Sequence, residues 1–562
     1  MALLGIDLGT TNSACAVWTE DGPKLIPNRL GAYLTPSVVH IDKSHLSVGE
    51  VAKAQLYNRP KSTIANFKRY MGTQQRAKLE NKQLAPAELS ALILRSLKED
   101  AEVFTGESID EVIISVPAYF NDSQRLATKQ AGELAGLKVK RLINEPTAAA
   151  LAFGLHEKPE GHFLILDLGG GTFDVTLIEY FDGIMEVHAS AGDNHLGGED
   201  FLQALVKKAL WQHELTPENV DASELEKIRQ LFEAAKRQTG PNFSQSLELE
   251  INSKTYQIDY NLDWFNSACS HLLLRAQRPI RQALNDAGLH PDKLDEVILV
   301  GGSSRLHPFK SMVTKLLGRL PSSQIDPDTA IALGTAVQAG LVAKDKALDD
   351  FVLTDVSPYT LGIDIINEDA PNKGSYFLPI IERNTTIPTS RVKTIYTAHD
   401  QQREIEVNIF QGENPYVRNN VHIGKLNAPV PPAPAGKEAI DVRLTHDSSG
   451  IIEADVHVHS SGKKVSVVIE QSANHLSESE VQKVISKIQS LKFHPRDTEA
   501  NRELQARAEM AFSSALGEAR DHIKEYIGQF QAALESQNER NIQAARENLE
   551  KVLKHFEEQE WT

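Results

Sequence analysis

Two short segments of this 562-residue chain carry the side chains best suited to chemistry. Residues 3–12 read Leu-Leu-Gly-Ile-Asp-Leu-Gly-Thr-Thr-Asn, and residues 164–174 read Leu-Ile-Leu-Asp-Leu-Gly-Gly-Gly-Thr-Phe-Asp. Each is an apolar run, an Asp, and a Gly-Thr turn that leads into another β-type run. Backbone N–H groups and a hydroxyl in such a turn can lie against a phosphate chain. An Asp at the strand end can hold a hydrated Mg²⁺ beside it. Two such turns point to a duplicated domain that grips one nucleotide triphosphate from both sides.

Turns of this kind need strands to hold them, and a duplicated unit must repeat more than its turn. Asp110-Glu111-Val112-Ile113-Ile114 is echoed by Asp295-Glu296-Val297-Ile298-Leu299, each a buried parallel strand by its apolar run. Glu145-Pro146-Thr147-Ala148-Ala149 opens one Ala-rich helix, and Asp326-Pro327-Asp328-Thr329-Ala330 opens another. Pro near the first turn after an oxygen-bearing side chain is a helix start. Three pairs in the same order make the two halves a duplication.

Length alone predicts roughly three or four domains. The net charge of −17 argues against a nucleic-acid role and fits solubility. Only two cysteines occur, Cys15 and Cys269, which excludes a disulfide framework and fits a reducing compartment. Cys15 lies in an apolar run and reads as core. Met1 leads into the first strand without a basic segment, so no signal peptide is expected. No apolar run approaches the roughly 20 residues that span a bilayer.

Residues 1–347 form the duplicated α/β region, with helices such as 87–104 and 223–239 between strands. Residues 348–356 are a short apolar run with an Asp at each end, Asp350 and Asp355. It reads either as an edge strand or as a linker that docks and undocks. Residues 357–474 turn all-β, with Val/Ile/Thr-rich runs at 405–410, 440–444, 451–458 and 464–469 and turns at Gly412, Gly450 and Gly462. Pro429, Pro431, Pro432 and Pro434 mark a loop or edge. Residues 475–562 are helical. A Ser477–Glu480 capping box starts them, Val481, Val484, Ile485, Ile488 and Leu491 follow at helical spacing, and Pro495 breaks the helix. Amphipathic segments then run from 501 to 557, with Ile542, Leu549, Val552 and Leu553 as late apolar positions.

The combined motifs resemble the 70-kDa heat-shock protein chaperones of the DnaK type. The resemblance covers residues 1 to about 475. It rests on 5–13 (Gly-Ile-Asp-Leu-Gly-Thr-Thr-Asn-Ser), 116–122 (Val-Pro-Ala-Tyr-Phe-Asn-Asp), 144–150 (Asn-Glu-Pro-Thr-Ala-Ala-Ala), 167–174, 192–201, 300–305 and 383–389 (Arg-Asn-Thr-Thr-Ile-Pro-Thr). It implies a multidomain chain: a duplicated actin-like α/β ATPase domain, a linker, a β-sandwich peptide-binding domain and a short α-helical lid. Short segments after Gly72, around 239–261 and at the helical end look like the divergent bacterial branch named heat-shock cognate C (HscC).

The resemblance implies ATP or ADP and Mg²⁺ as cofactors, with K⁺ a further candidate. Gly9, Thr10, Thr11 and Asn12 match the first phosphate loop; Gly169, Gly170, Gly171 and Thr172 match the second, with Gly198 nearby. Glycine lets backbone approach an anion where a Cβ would clash. Asp7 and Asp167 match the residues that hold Mg²⁺ through its waters. Asp174 and Glu145 are further carboxylates, either of which can orient the attacking water. Lys68 matches the lysine that offsets charge on the transferring group, and Thr172 completes the catalytic set. Glu233, Lys236 and Arg237 match the helix that contacts ribose and base; Gly301, Gly302, Ser303 and Arg305 match the turn opposite. Arg237 and Arg305 are expected to stack on adenine. Gly240 stands where the family often has Ser. Asp328 reads equally as a nucleotide neighbour or a helix cap.

In such chaperones ATP opens the peptide site and peptide promotes hydrolysis, so the two ligands share a coupling free energy. Pro117 and Arg125 match the relay, and Asp355 and Arg141 match the linker and J-domain face. Thr354 in the linker is expected to weaken docking modestly. The peptide groove, a sandwich end that pairs with extended backbone, aligns with Ile363, Ile365, Ile366, Ile395, Ala398, Ile405, Val407 and Ile451, each of which also reads as core. Implied partners are extended apolar client peptides, a J-domain co-chaperone and an exchange factor, the last less needed because 239–261 is short. A monomer or weak oligomer in the cytoplasm is expected, without nucleic acid or membrane. A shorter lid would shorten peptide residence. Two alternatives remain: a sugar kinase on the same fold, which leaves some 200 residues unexplained, and a non-cycling holdase or exchange partner.

Overall fold

The apolar runs that end in Asp7 and Asp167 are central strands of two similar sheets. The computed structural model describes residues 3–42, 45–79, 82–154, 160–181, 184–252, 254–322, 325–343, 352–365, 375–447, 452–469, 517–536 and 539–560, with isolated positions between 501 and 512. The first sheet contains β1 (Leu4–Asp7), β2 (Asn12–Thr19), β3 (Gly22–Ile26), β4 (Glu111–Val116) and β5 (Lys138–Asn144), in the order β5-β4-β1-β2-β3. The second contains β6 (Gly161–Leu168), β7 (Phe173–Phe181), β8 (Ile184–Asp193), β9 (Glu296–Val300) and β10 (Val352–Leu353), in the order β9-β6-β7-β8-β10.

The two sheets repeat one plan. In each, three strands form an antiparallel meander, and a later strand adds parallel to the first. Leu4 pairs with Val112 in one, and Leu164 with Val297 in the other. A parallel bridge between Ile298 and Ser322 occupies the place that β5 fills in the first sheet. Flanking helices include α1 (Pro86–Thr105) and α2 (Asp122–Leu134) in the first half, and α4 (Gly198–Trp211), α5 (Ala222–Arg237) and α6 (Leu262–Asp286) in the second. The two Ala-rich helices are α3 (Glu145–Ala152) and α7 (Ala330–Val342).

Helix α7 is apolar all round, as a fully enclosed helix must be. It packs on α3 and crosses to the first sheet. Small residues permit the approach. A methyl group added at Gly334 would fall on the Ala148 carbonyl, and one at Gly5 would sit 2.6 Å from the Ala336 nitrogen. Ile113, Ile165, Ile298 and Val337 close the core between the halves. Each such side chain contributes about 1.5–3 kcal/mol when fully buried.

The strand β10 adds to the free edge of β8, with Ile184 opposite Val352 and Met185 opposite Leu353. Of the segment read as either an edge strand or a linker, Val352–Leu353 is an edge strand in this docked arrangement, Asp355 and Val356 pair with Ile387 and Thr386, and 348–351 lie outside the described residues. Beyond it lie β11 (Leu361–Ile365), β12 (Tyr376–Ile381), β13 (Thr389–Tyr396), β14 (Glu404–Gln411), β15 (Val421–Pro429), β16 (Ala439–His446), β17 (Ile452–Val458) and β18 (Lys463–Ile469). They form two sheets, β12-β11-β14-β15 and β13-β16-β17-β18, whose inward residues alternate along each strand. Pro429 ends an edge strand, where its missing N–H breaks no ladder. Helices α8 (Gly517–Ser536) and α9 (Glu539–Glu560) pack through Ile523, Phe530, Ile542, Leu549 and Leu553. The Ser477 capping box, Gly450 and Pro495 lie outside the described residues. Both cysteines are buried thiols, pushed up to about 12 chiefly by burial, and they pack as small apolar groups.

Candidate active site

The two Gly-Thr turns face each other across the cleft between the halves. An added methyl at Gly170 would fall on the Thr11 hydroxyl, and one at Gly171 would lie 2.9 Å from Thr10 Cγ2. The Gly9 position is closed by the carbonyl of Asn12, which starts β2. Glycine is therefore required at these places by steric approach. Gly198 N donates to the Gly169 carbonyl at 2.9 Å, which ties the second turn to the start of α4.

Between the turns lies a buried charge cluster. Lys68 Nζ is 2.7 Å from Glu145 Oε1, and both side chains are nearly inaccessible. Asp7, Asp167 and Asp174 close around this pair. Ser115 Oγ donates to Asp7 Oδ1 at 3.0 Å, and Tyr119 N donates to Asp174 Oδ1 at 3.0 Å. Burial first, and the Glu145 carboxylate second, push Asp7 and Asp174 up to about 7. The same causes push Asp167 well above the usual carboxylate range. Asp167 Oδ2 and Asp174 Oδ2 are buried without a hydrogen-bond partner. Orphaned acceptors are costly, and a hydrated divalent cation supplies both the missing donors and the missing charge. The residues fit Mg²⁺ held through its waters.

The second group of expected residues adjoins the first. An added Gly301 methyl would be 2.5 Å from Asp167 Oδ1, and one at Gly198 would meet Ser303 Oγ and, at 3.3 Å, Lys236 Nζ. Lys236 Nζ donates to the Gly198 carbonyl at 2.9 Å and pairs with Glu233 at 2.6 Å. Glu233 also holds Arg237 at 2.9 Å. Opposite, Arg305 is fixed between Asp326 at 2.6 Å and Asp328 at 2.9 Å. Asp328 therefore orients an arginine, while the turn before α7 starts at Asp326, whose carbonyl accepts from Thr329 N and Ala330 N. Gly302 sits against the Asp328 carboxylate, and Gly240 has open space around it.

A family model described as "Hsp70 protein" matches residues 3–562. The chain belongs to the Hsp70 family. A protein named "Chaperone protein DnaK" from Thermotoga neapolitana is 39% identical over 551 residues, covering 95% of this chain and 91% of the relative. Another of that name from Thermosipho melanesiensis is 41% identical over 500 residues, covering 86% and 82%. The family is an ATP-dependent chaperone family. This chain is accordingly an Hsp70 ATPase with an actin-like ATPase domain, a β-sheet substrate-binding region and C-terminal helices. Hsp70 proteins bind ATP or ADP with Mg²⁺, client peptides and co-chaperones. The match across the β-sheet region and the helices removes the sugar-kinase alternative. No helix among the described residues is long and apolar enough to cross a membrane.

The residues expected to couple the Hsp70 domains converge on one network. Arg125 donates to the carbonyls of Phe120 and Ala118 at 3.1 Å and to Asn144 Oδ1 at 2.6 Å. Asn144 Nδ2 then donates to Asp355 Oδ2 at 2.6 Å. Burial lowers Arg125 and Arg141 and raises Asp355, while Asp355 and Asp447 offset the burial of Arg141. Pro117 is buried at the end of β4, its carbonyl accepting from Phe120 N.

Sequence reasoning missed several members of this interface. Asn144 lies inside the quoted Asn-Glu-Pro motif, which was the available signal. Tyr359 Oη donates to the Tyr119 carbonyl at 2.8 Å. Asp286 at the end of α6 pairs with Arg383 at 2.7 Å and accepts from Asn384 at 3.0 Å, and Ser190 N donates to Asn384 Oδ1 at 2.9 Å. Arg383 and Asn384 belong to a quoted motif whose role was unassigned. Of the expected peptide residues, Ile363, Ile405 and Val407 are buried in the sandwich core, Ile395 packs against it, and Ile365 and Ala398 are half-buried. Ile366 and Ile451 lie outside the described residues.

Proposed function

We propose that Lys68, Glu145, Thr172 and Asp174 carry ATP hydrolysis in this chaperone, with Asp7 and Asp167 placing Mg²⁺. The observation that carries this reading is the buried Lys68–Glu145 pair enclosed by three carboxylates between two glycine turns. Lys68 stands ready to exchange Glu145 for phosphate oxygens. Glu145, once released, joins Asp174 as a carboxylate able to orient water. Mg²⁺ supplies Lewis-acid neutralisation of the phosphates when bound. The cleft excludes solvent, so each of these charges acts at low dielectric. K⁺ is the candidate for a further cation there.

Gly9–Asn12, Gly169–Thr172 and Gly198 serve the phosphates in this scheme. Glu233, Lys236, Arg237, Gly301, Gly302, Ser303, Arg305 and Asp328 serve the adenosine. Pro117, Arg125, Arg141 and Asp355 carry the coupling, and the sandwich takes extended apolar peptides near Ile363, Ile395, Ile405 and Val407. A J-domain partner is assigned to the Arg141 and Asp355 face, and the cytoplasm to the protein. The test is steady-state ATP turnover with and without an extended apolar peptide, for the parent and Thr172→Ala. Peptide-stimulated turnover is expected to vanish in the variant; full stimulation in Thr172→Ala would overturn the assignment.

The finer relationship is to the HscC branch. The short hairpin of Ser244–Ile251 and Lys254–Asn261 supports it. Reduced dependence on an exchange factor is expected. ADP release accelerated more than about tenfold by a DnaK-type exchange factor would count against this reading.

A further inference from the structure

Away from the nucleotide cleft, one face of the second sheet gathers two imidazoles and two carboxylates. His162 on β6 lies opposite Glu179 on β7, and Glu179 lies opposite Glu186 on β8. His188 follows on the same strand as Glu186. His188 Nε2 is 2.6 Å from Glu179 Oε2, and His162 Nε2 is 3.7 Å from Glu179 Oε1. Ligand atoms of Glu179, Glu186 and His188 all lie within 4.8 Å of one another, and the three residues are half-buried.

A directly opposed Glu–Glu pair on adjacent strands is unfavourable without a cation between them. Glu186 meets Arg540 of α9 at 3.8 Å, with 78% of the arginine side chain exposed. An exposed pair of that kind is worth little. Two carboxylate oxygens and one imidazole nitrogen form a borderline donor set suited to Zn²⁺, with a fourth position open to water. Hard cations such as Mg²⁺ and Ca²⁺ prefer all-oxygen sites. His162, on the far oxygen of Glu179, is placed to orient that ligand from behind. Binding replaces the His188–Glu179 hydrogen bond by two bonds to the ion.

We propose that Glu179, Glu186 and His188 form a Zn²⁺ site, with His162 as a positioning residue. Its place gives it consequences. Strand β8 carries the linker contact immediately before Glu186, through Ile184, Met185 and the bond from Thr354 N to the Met185 carbonyl at 3.0 Å. The same strand carries the sandwich contact at Ser190, two residues after His188. A bound ion ties β7 to β8 between these two contacts and takes Glu186 from Arg540. It therefore favours the docked linker.

The test uses full-length, metal-stripped protein in saturating Mg²⁺ and ADP, so that the cleft carboxylates are occupied. His457→Ala and His459→Ala are included as background, since Asp441, His457 and His459 form a second cluster on the β13-β16-β17-β18 sheet. Zinc titration is expected to show one equivalent bound, and Co²⁺ in its place a visible absorption band. Combined His188→Gln and Glu186→Gln should abolish both signals, and His162→Ala should weaken binding about tenfold. Arg540→Ala, which leaves every ligand intact, should strengthen it. Zinc should also slow amide exchange at residues 352–356. Absence of stoichiometric binding, or binding unchanged by the His188→Gln and Glu186→Gln pair in a protein of normal melting temperature, would overturn the proposal.

Discussion

Lowering the pH from 7.5 to 5.5 should loosen the docked sandwich through His446. This residue ends β16 and is buried, with Nδ1 3.2 Å from Ser357 Oγ. Burial first, and then the Arg125 guanidinium from α2, push the imidazole down to about 3. Arg125 also faces Asp355 and Asp122, and Arg141 faces Asp355 and Asp447, so the local carboxylates are already engaged by arginines. Docked His446 is therefore neutral. Undocking removes Arg125 and whatever part of the burial the docked domain supplies, which moves the imidazole up toward its ordinary value near 6.5. The docked state then binds fewer protons than the undocked state below that value. Docking stability is complete above about pH 6.5 and falls as the pH drops toward 3. At pH 5.5, one unit below that ordinary value, full recovery sets the loss at about 1.4 kcal/mol, a tenfold shift in the docking equilibrium and its upper bound. Asp355 acts in the opposite sense, because burial raises it and acid then favours the docked form. Comparison with His446→Asn cancels that contribution. The assay is amide exchange at residues 352–356 in the ATP-bound protein at both pH values. The parent should lose more protection than the variant, up to about tenfold. Parallel pH profiles for the two proteins would refute the reasoning.

Lys68→Met should lower single-turnover ATP hydrolysis by about a hundredfold or more, since it removes the buried cation proposed to offset the developing charge. Preserved turnover in a folded variant would remove Lys68 from the catalytic set. Thr354→Val should strengthen linker docking by about 1 kcal/mol, because the Thr354 hydroxyl is buried without a hydrogen-bond partner. Slower exchange of the Val352 and Leu353 amides would show the gain, and faster exchange would contradict it.

The turns at Asp7 and Asp167 were legible because their demands are local: apolar strand, acid, glycine, hydroxyl. The duplication was legible for the same reason, repeated once. Lys68 was ambiguous in isolation, since its partner Glu145 is 77 residues away. Partners more distant still escaped altogether. Asn144 and Asp355 are separated by 211 residues and Tyr119 and Tyr359 by 240, and no spacing rule joins them. Glu179 and the three side chains around it lie on three strands and form no linear motif. Alternation along β11 and β14 shows that Ile363, Ile405 and Val407 point inward. It does not distinguish an inner core from an inner groove, because both reward the same apolar face.

The distribution of contacts around the cleft gives the coupling a physical basis. Glu145 touches Lys68, and its neighbour Asn144 touches both Arg125 and Asp355. One peptide unit thus separates the nucleotide cleft from the linker. On the other side, Asp174 accepts from the Tyr119 backbone, while the Tyr119 carbonyl accepts from Tyr359 and Asn194. The two carboxylates proposed to orient water each belong to or touch a chain segment that also holds the docked linker, at Asn144, or the docked sandwich, at Tyr119. A shift of either carboxylate on taking up nucleotide must move a docking partner, and undocking must relax the same carboxylate. Reciprocity of this kind is what linkage demands of an ATPase that responds to peptide. It needs no long wire through the protein, only that Asn144 and Tyr119 have two positions apiece.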